Sequence, residues 1–270
     1  SVASANDACV TMAEYICGNE EEFVKKMNQR AKNLGMKNTH FANCNGLDAD
    51  GHLTTARDIS LMSRELITTY PKIFDYCNIW MENITHKTKK GESEFGLTNT
   101  NKLIRQYEYA TGLKTGSTSK AKFCVSATGR KDDIDLIAVI MAADDSKARV
   151  RDAITLLNYG FGKCQKYEEK NKKQIPPAKV KGGAERQVNV QQKDIFRYVD
   201  TKGADLTKIK RKTRMQSDIK APLKKGEKVG ESVYYLNGKK IGTRDIVTQE
   251  SVKKINYKIS LENILEQYAL

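Results

Sequence analysis

The chain of 270 residues is 39% hydrophobic and 30% charged, with a formal net charge of +14. No apolar run approaches the ~20 residues of a membrane-spanning helix, and no basic stretch followed by an apolar one opens the chain, so neither a spanning segment nor a signal peptide is expected. The length suits one large domain or two ordinary ones.

Residues 7–17 read as a helix, with acidic Asp7 in the first turn and Ala, Val and Met at helical spacing; Gly18-Asn19 breaks it. A second helix over 20–34 places Phe23, Met27 and Leu34 on one stripe, with Gly35 just past its end. Loop 43–52 is rich in Asn, Asp and Gly and reads as irregular. Thr55 can cap a third helix over 56–70, which Pro71 closes. From about residue 95 the pattern changes to strands. Segments 121–128 and 134–142 flank a turn at 129–133, a hairpin signature, and the apolar run 136–141 suits a strand buried on both faces. Ser146 is expected to cap a helix that reaches Tyr159 and stops at Gly160. A helical lobe beside an antiparallel sheet covered by helices is an α+β arrangement.

Charge divides unevenly. Residues 1–162 carry 21 Lys+Arg against 20 Asp+Glu, whereas residues 163–270 carry 26 against 13. The asymmetry predicts a domain boundary near residue 163 and an anionic neighbour for the second part. No zinc-finger spacing or RNA-binding signature accompanies the lysines, so nucleic acid is not expected. The Lys208–Arg214 cluster reads as a solvated face. Short alternating segments at 188–190, 195–199, 229–236 and 241–247 read as strands, the last two joined by Asn237-Gly238, a type I′ hairpin signal. They predict a small all-β module over 163–250, with Pro176-Pro177 as linker or edge. An amphipathic tail follows over 251–270, with Ile259, Ile264, Leu265 and Tyr268 on one helical side.

The six cysteines show neither CxxC pairing nor zinc-like spacing and are expected to be free and mostly buried, as in a reducing or anaerobic setting. His40, His52 and His86 form no metal-like grouping and read as structural or surface residues.

Two short motifs carry the chemistry: Ser4-Ala5-Asn6 and Lys114-Thr115-Gly116. Alone, Ser4 reads as a helix cap and the second motif as a strand-end turn. Together, and with Leu34-Gly35-Met36, Asn45-Gly46-Leu47-Asp48-Ala49-Asp50-Gly51, Ala56-Arg57-Asp58 and Thr111-Gly112-Leu113 around them, the chain resembles the D-alanyl-D-alanine carboxypeptidases of the low-molecular-mass penicillin-binding protein family. Ala221-Pro222-Leu223-Lys224-Lys225-Gly226 resembles that family's β-rich second domain. The resemblance implies part of a transpeptidase/β-lactamase-like α+β domain over 1–162, followed by the all-β domain.

It also implies acyl transfer at an extracytoplasmic site, on the outer face of the cytoplasmic membrane or in the cell wall. A serine would attack the penultimate D-alanine carbonyl of a peptidoglycan stem peptide, β-lactams would mimic that substrate, and no metal or cofactor would take part. By the same resemblance, Lys114 and Thr115 would hold the substrate carboxylate, Gly116 would permit close approach, and the Ser117 N–H would serve the oxyanion. Ser4 would relay a proton, Asn6 would position the general-base lysine, and Asp50 would border the site. The tail can pack on its own domain or lie on an anionic membrane surface, where Glu262 and Glu266 weaken binding; relatives use a C-terminal amphipathic segment as an anchor, which tips the expectation toward the membrane. Many carry His where Ser117 stands.

The family's Ser-x-x-Lys nucleophile motif is expected upstream of Ser4. Four matches occur downstream, at Ser117, Ser119, Ser217 and Ser251; none opens an apolar helix ahead of Ser4, and all are rejected as nucleophiles. The competing readings are a β-lactamase, a peptidoglycan endopeptidase, and a non-catalytic module that binds envelope polymers.

Overall fold

The computed structural model describes residues 1–89, 91–169 and 174–261. The chain forms two compact units, Ser1–Gly162 and Lys163–Leu270.

The first unit opens with helices α1 (Asn6–Cys17) and α2 (Glu20–Asn33). Asn19 caps α2, its side-chain oxygen accepting from Glu22 N at 2.8 Å, and the helix carries Glu20–Glu22 in its first turn and Arg30 and Lys32 in its last, as its dipole favours. α3 (Ala56–Thr69) starts at the predicted cap, with Thr55 Oγ1 accepting from Asp58 N at 3.2 Å. α4 (Ile73–Cys77), an exposed hairpin of β1 (Met81–Thr88) and β2 (Gly91–Thr98), and α5 (Leu103–Gln106) lead to an antiparallel sheet. That sheet has the order β3 (Ala110–Thr118), β4 (Lys122–Lys131), β5 (Ile134–Ala143), and α6 (Ser146–Lys163) follows it. The hairpin of β1 and β2 had no counterpart in the sequence reading; its side chains are almost all exposed, which leaves no alternation to detect.

α5 and α6 pack on the sheet through Leu103, Val125, Ala127, Ala138, Ala153 and Leu157. Burying Leu157 alone contributes about 1.5–3 kcal/mol. α3 meets β4 through a buried Ser63–Ser126 hydroxyl pair at 2.7 Å.

Three local expectations need correction. Asp145, not Ser146, caps α6, accepting from Lys147 N and Ala148 N at 2.7 Å. α6 also runs through Gly160, where a Cβ would lie 2.7 Å from Leu136 Cδ1; close packing, not termination, needs glycine there. The run 136–141 is only half-buried, with Ala138 its one buried residue.

Apart from a 3-10 helix at Leu206–Lys208 and a helical stretch at 257–261, the described part of the second unit is β. Its strands are β6 (Gln165–Glu168), β7 (Ala178–Lys179), β8 (Gln187–Val188), β9 (Val190–Gln192), β10 (Arg197–Asp200), β11 (Lys210–Met215), β12 (Lys228–Leu236) and β13 (Lys239–Thr248). A four-stranded sheet in the order β11-β12-β13-β9 is accompanied by the pairs β10-β6 and β7-β8. Val188, Val229, Ile246 and Val252 form its core. Asn237 and Gly238, at φ +49° and +79°, make the predicted hairpin turn. The Lys208–Arg214 cluster lies mostly on β11, with all but Arg211 of its strand residues exposed. Residues 262–270, which hold most of the apolar positions of the expected tail, lie outside the described residues.

All six cysteines are free, but only Cys77 is buried; most sit on half-covered loops and helix faces, which correct the expectation of burial.

Candidate active site

The site is assembled around a short polar segment between the exposed hairpin and the sheet. Asn99 donates from its side chain to the carbonyls of Cys77 at 3.1 Å and Ile79 at 2.8 Å, and accepts from Asn101 N at 2.8 Å. Thr100 N donates to Val2 O at 3.3 Å, and the Thr100 and Thr115 hydroxyls pair at 2.7 Å. Segment 99–101 therefore ties the start of the chain to the β3 strand. The buried Asn99 amide, its hydrogen bonds met in this way, fixes position more tightly than apolar contact does; Asn101 accepts from Leu103 N at 3.2 Å through its side-chain oxygen, while its buried Nδ2 has no partner among the described residues.

The result is the contact that matters most. Lys114 Nζ donates to Ser4 Oγ at 2.7 Å and to the Thr115 carbonyl at 2.6 Å. Ser4 is not a cap: Ala5 occupies that position of α1 without a side-chain bond. Ser4 instead adopts φ +58°, a left-handed conformation that costs a non-glycine residue about 1–2 kcal/mol, and its hydroxyl receives the lysine. Desolvation lowers the pKa of Lys114 from its ordinary value; an opposing influence of Cys9 and the like charge of Arg149 follow. Lys114 is exposed by area, so the desolvation acts on its inward-turned ammonium.

β3 has β4 on one side and no strand on the other among the described residues, so its outer edge can pair with an extended ligand. Gly116 has ordinary backbone angles, and a Cβ there would meet no atom within 4 Å. Its missing side chain leaves open space in a cleft of about 1030 Å³. Lys114, Thr115, Gly116, Ser117 and Asp50 line this cleft. Asn6 opens α1 and is exposed, with no side-chain hydrogen bond among the described residues. Thr115 is buried, with its hydroxyl engaged by Thr100.

Three side chains escaped the sequence reading. Asp48, rather than Asp50, braces the end of β3: its carboxylate accepts from Thr118 Oγ1 at 2.7 Å, Ser119 Oγ at 3.3 Å and Lys120 N at 3.4 Å. The Thr118 bond is the first cause of its lowered pKa. Arg149, on α6 and 6% exposed, donates to the carbonyls of Gly116 at 3.3 Å and Cys124 at 3.2 Å. Asp58, 2% exposed, accepts from Asn38 N and Thr39 Oγ1 at 2.8 Å. It thereby holds the chain beside the His40–Leu53 bridge that closes the loop bearing Asp48. Nothing in a single sequence separates Asp48 from Asp50, since both sit in one polar loop. Burial alone, which hydropathy cannot give for an isolated Arg or Asp, distinguishes Arg149 and Asp58.

Residues 1–145 match the family model described as D-alanyl-D-alanine carboxypeptidase, and residues 166–254 match that of the penicillin-binding protein 5 C-terminal domain. The chain is 34% identical to D-alanyl-D-alanine carboxypeptidase DacF of Bacillus subtilis, over 95% of this chain and 65% of the relative. It is 32% identical to DacC of Escherichia coli, over 94% and 62%. Penicillin-binding protein 5 from Haemophilus influenzae superimposes with a TM-score of 0.64 at 27% identity, covering 93% of this chain and 72% of that one. The chain thus spans slightly less than two thirds of the length of the curated relatives it matches.

Proposed function

The chain belongs to the D-alanyl-D-alanine carboxypeptidase family, and from that premise we propose that it is part of a serine-type enzyme that removes the terminal D-alanine of peptidoglycan stem peptides and is acylated by β-lactams. The observation that carries the reading is the 2.7 Å bond from Lys114 Nζ to Ser4 Oγ, which joins two motifs 110 positions apart.

In the reaction, a serine oxygen supplied by a Ser-x-x-Lys segment outside these 270 residues bonds to the penultimate carbonyl carbon. The carbon–nitrogen bond to terminal D-alanine breaks, and water then hydrolyses the acyl-enzyme. Ser4 passes the hydroxyl proton toward the leaving amine, while Asn6 holds the lysine of that segment. The Lys114 ammonium meets the substrate's terminal carboxylate. Extended substrate lies along the β3 edge, with Gly116 leaving it room and the Ser117 N–H donating to the oxyanion. Thr115 reaches the carboxylate only by sharing the hydroxyl that pairs with Thr100, and Asp50 borders the cleft. We place the reaction outside the cytoplasmic membrane, with the tail over 251–270 on an anionic membrane surface; no described helix is long and apolar enough to cross a membrane.

The four Ser-x-x-Lys matches begin in strand, turn or loop, and none opens a helix, so the 270 residues alone should form no acyl-enzyme. Intact mass after incubation with a labelled penicillin tests both statements. No adduct is expected on this chain, and one adduct per molecule once a Ser-x-x-Lys helix precedes Ser1. An adduct on the 270 residues alone would refute the nucleophile assignment, and none on the folded longer protein would refute the activity.

A further inference from the structure

The second unit presents a row of cations that the reaction does not use. β11 is the edge strand of the four-stranded sheet, and Lys210, Lys212 and Arg214 alternate along it, all exposed. Residues two apart on a strand lie on one face at a spacing of about 6.8 Å. Among the described residues none of the three pairs with a carboxylate: Arg214 donates to the Tyr235 hydroxyl at 3.1 Å, and Lys212 lies 5.7 Å from the same ring. The neighbouring Lys208, by contrast, is 3.5 Å from Asp205.

We propose that this comb on β11 binds a linear phosphodiester polymer of the glycerol phosphate type, one phosphate per cation. Six single bonds separate successive phosphorus atoms in such a polymer and stretch to about 6–7 Å, close to the repeat of the cations. On the inner strands the charge is balanced: Glu231 stands opposite Arg214 and Asp245 opposite Glu231, and Lys228 bridges the two carboxylates at 2.8 and 2.7 Å. A membrane would meet that balanced face, whereas a chain following the edge meets the three cations, with Glu231 beside only the last of them. β11 also lacks the aromatic residues on which nucleic-acid bases stack. The proposal is independent of the reading of the catalytic cleft.

The test is fluorescence anisotropy of the 270-residue chain with a labelled, lipid-free poly(glycerol phosphate) oligomer. Three phosphate contacts predict a slope of log affinity on log salt of about −2, so that binding falls on the order of 20-fold between 50 and 200 mM salt. K210Q/K212Q/R214Q should lower affinity at least tenfold at low salt and flatten the slope. K179Q/K193Q/K253Q removes the same charge from exposed lysines elsewhere in the unit and should change affinity less than twofold. Equal losses in the two variants, or no binding at low salt, would overturn the proposal. So would tighter binding of an oligonucleotide, or of phosphatidylglycerol vesicles, at matched phosphate.

Discussion

Replacing Asp58 tests whether one buried carboxylate holds the loop that borders the cleft. Both of its loop bonds, from Asn38 N and Thr39 Oγ1, end on the same oxygen, Oδ2, at 2.8 Å. Hydrogen bonds to charged groups contribute about 1.5–3 kcal/mol each. Thr39 keeps a second partner in Thr54 at 2.9 Å, so Asp58→Ala should lie near the lower end of the summed range, about 3 kcal/mol. In Asp58→Asn the amide oxygen can take the place of Oδ2 and retain both bonds without charge, for a loss of about 1 kcal/mol. Urea unfolding followed by the fluorescence of Trp80, the single tryptophan, reports on the first unit. A lower midpoint with unchanged slope is expected, with the thermal transition down by about 6–12 °C for the alanine variant. A loss below 1 kcal/mol in Asp58→Ala, or equal losses in the two variants, would refute the argument.

Removing the Arg149 charge in R149M should move the Lys114 pKa upward, since that charge helps depress it; titration of the lysine side-chain NMR signals checks this, and an unmoved value refutes the coupling. A depressed lysine pKa makes stability rise with pH between the folded value and 10.5, so K114M should flatten that alkaline rise in denaturation curves. Asp48 has a lowered pKa, and its contribution is therefore present above the unfolded value and lost as pH falls through the folded one. D48N should remove that acid-side loss and speed hydrogen exchange at Lys120. Gly112 has φ +147°, and a Cβ there would lie 2.5 Å from Cys77 Sγ; Gly112→Ala should destabilise the first unit by about 2 kcal/mol or more, measured by the same urea curves.

What the sequence determined by itself is local or pairwise in pattern. Caps such as Thr55, the periodicity of α2 and the Asn237-Gly238 turn each depend on neighbours within a few positions, and the charge step near residue 163 on composition alone, so each is visible in the chain. The motifs at Ser4 and Lys114 were legible through their resemblance to a known family; alone they read as a helix cap and a strand-end turn. Tertiary structure decided the rest. That Lys114 meets Ser4 depends on the 99–101 segment, a run of small polar residues whose role exists only once it is buried. That Asp48, and not Asp50, braces β3 follows from which carboxylate the loop turns toward Thr118. The half-burial of β5 follows from what packs on its two faces, and the setting of the cation row from the place of β11 at a sheet edge. Burial and strand order are long-range properties, so no window of sequence contains them.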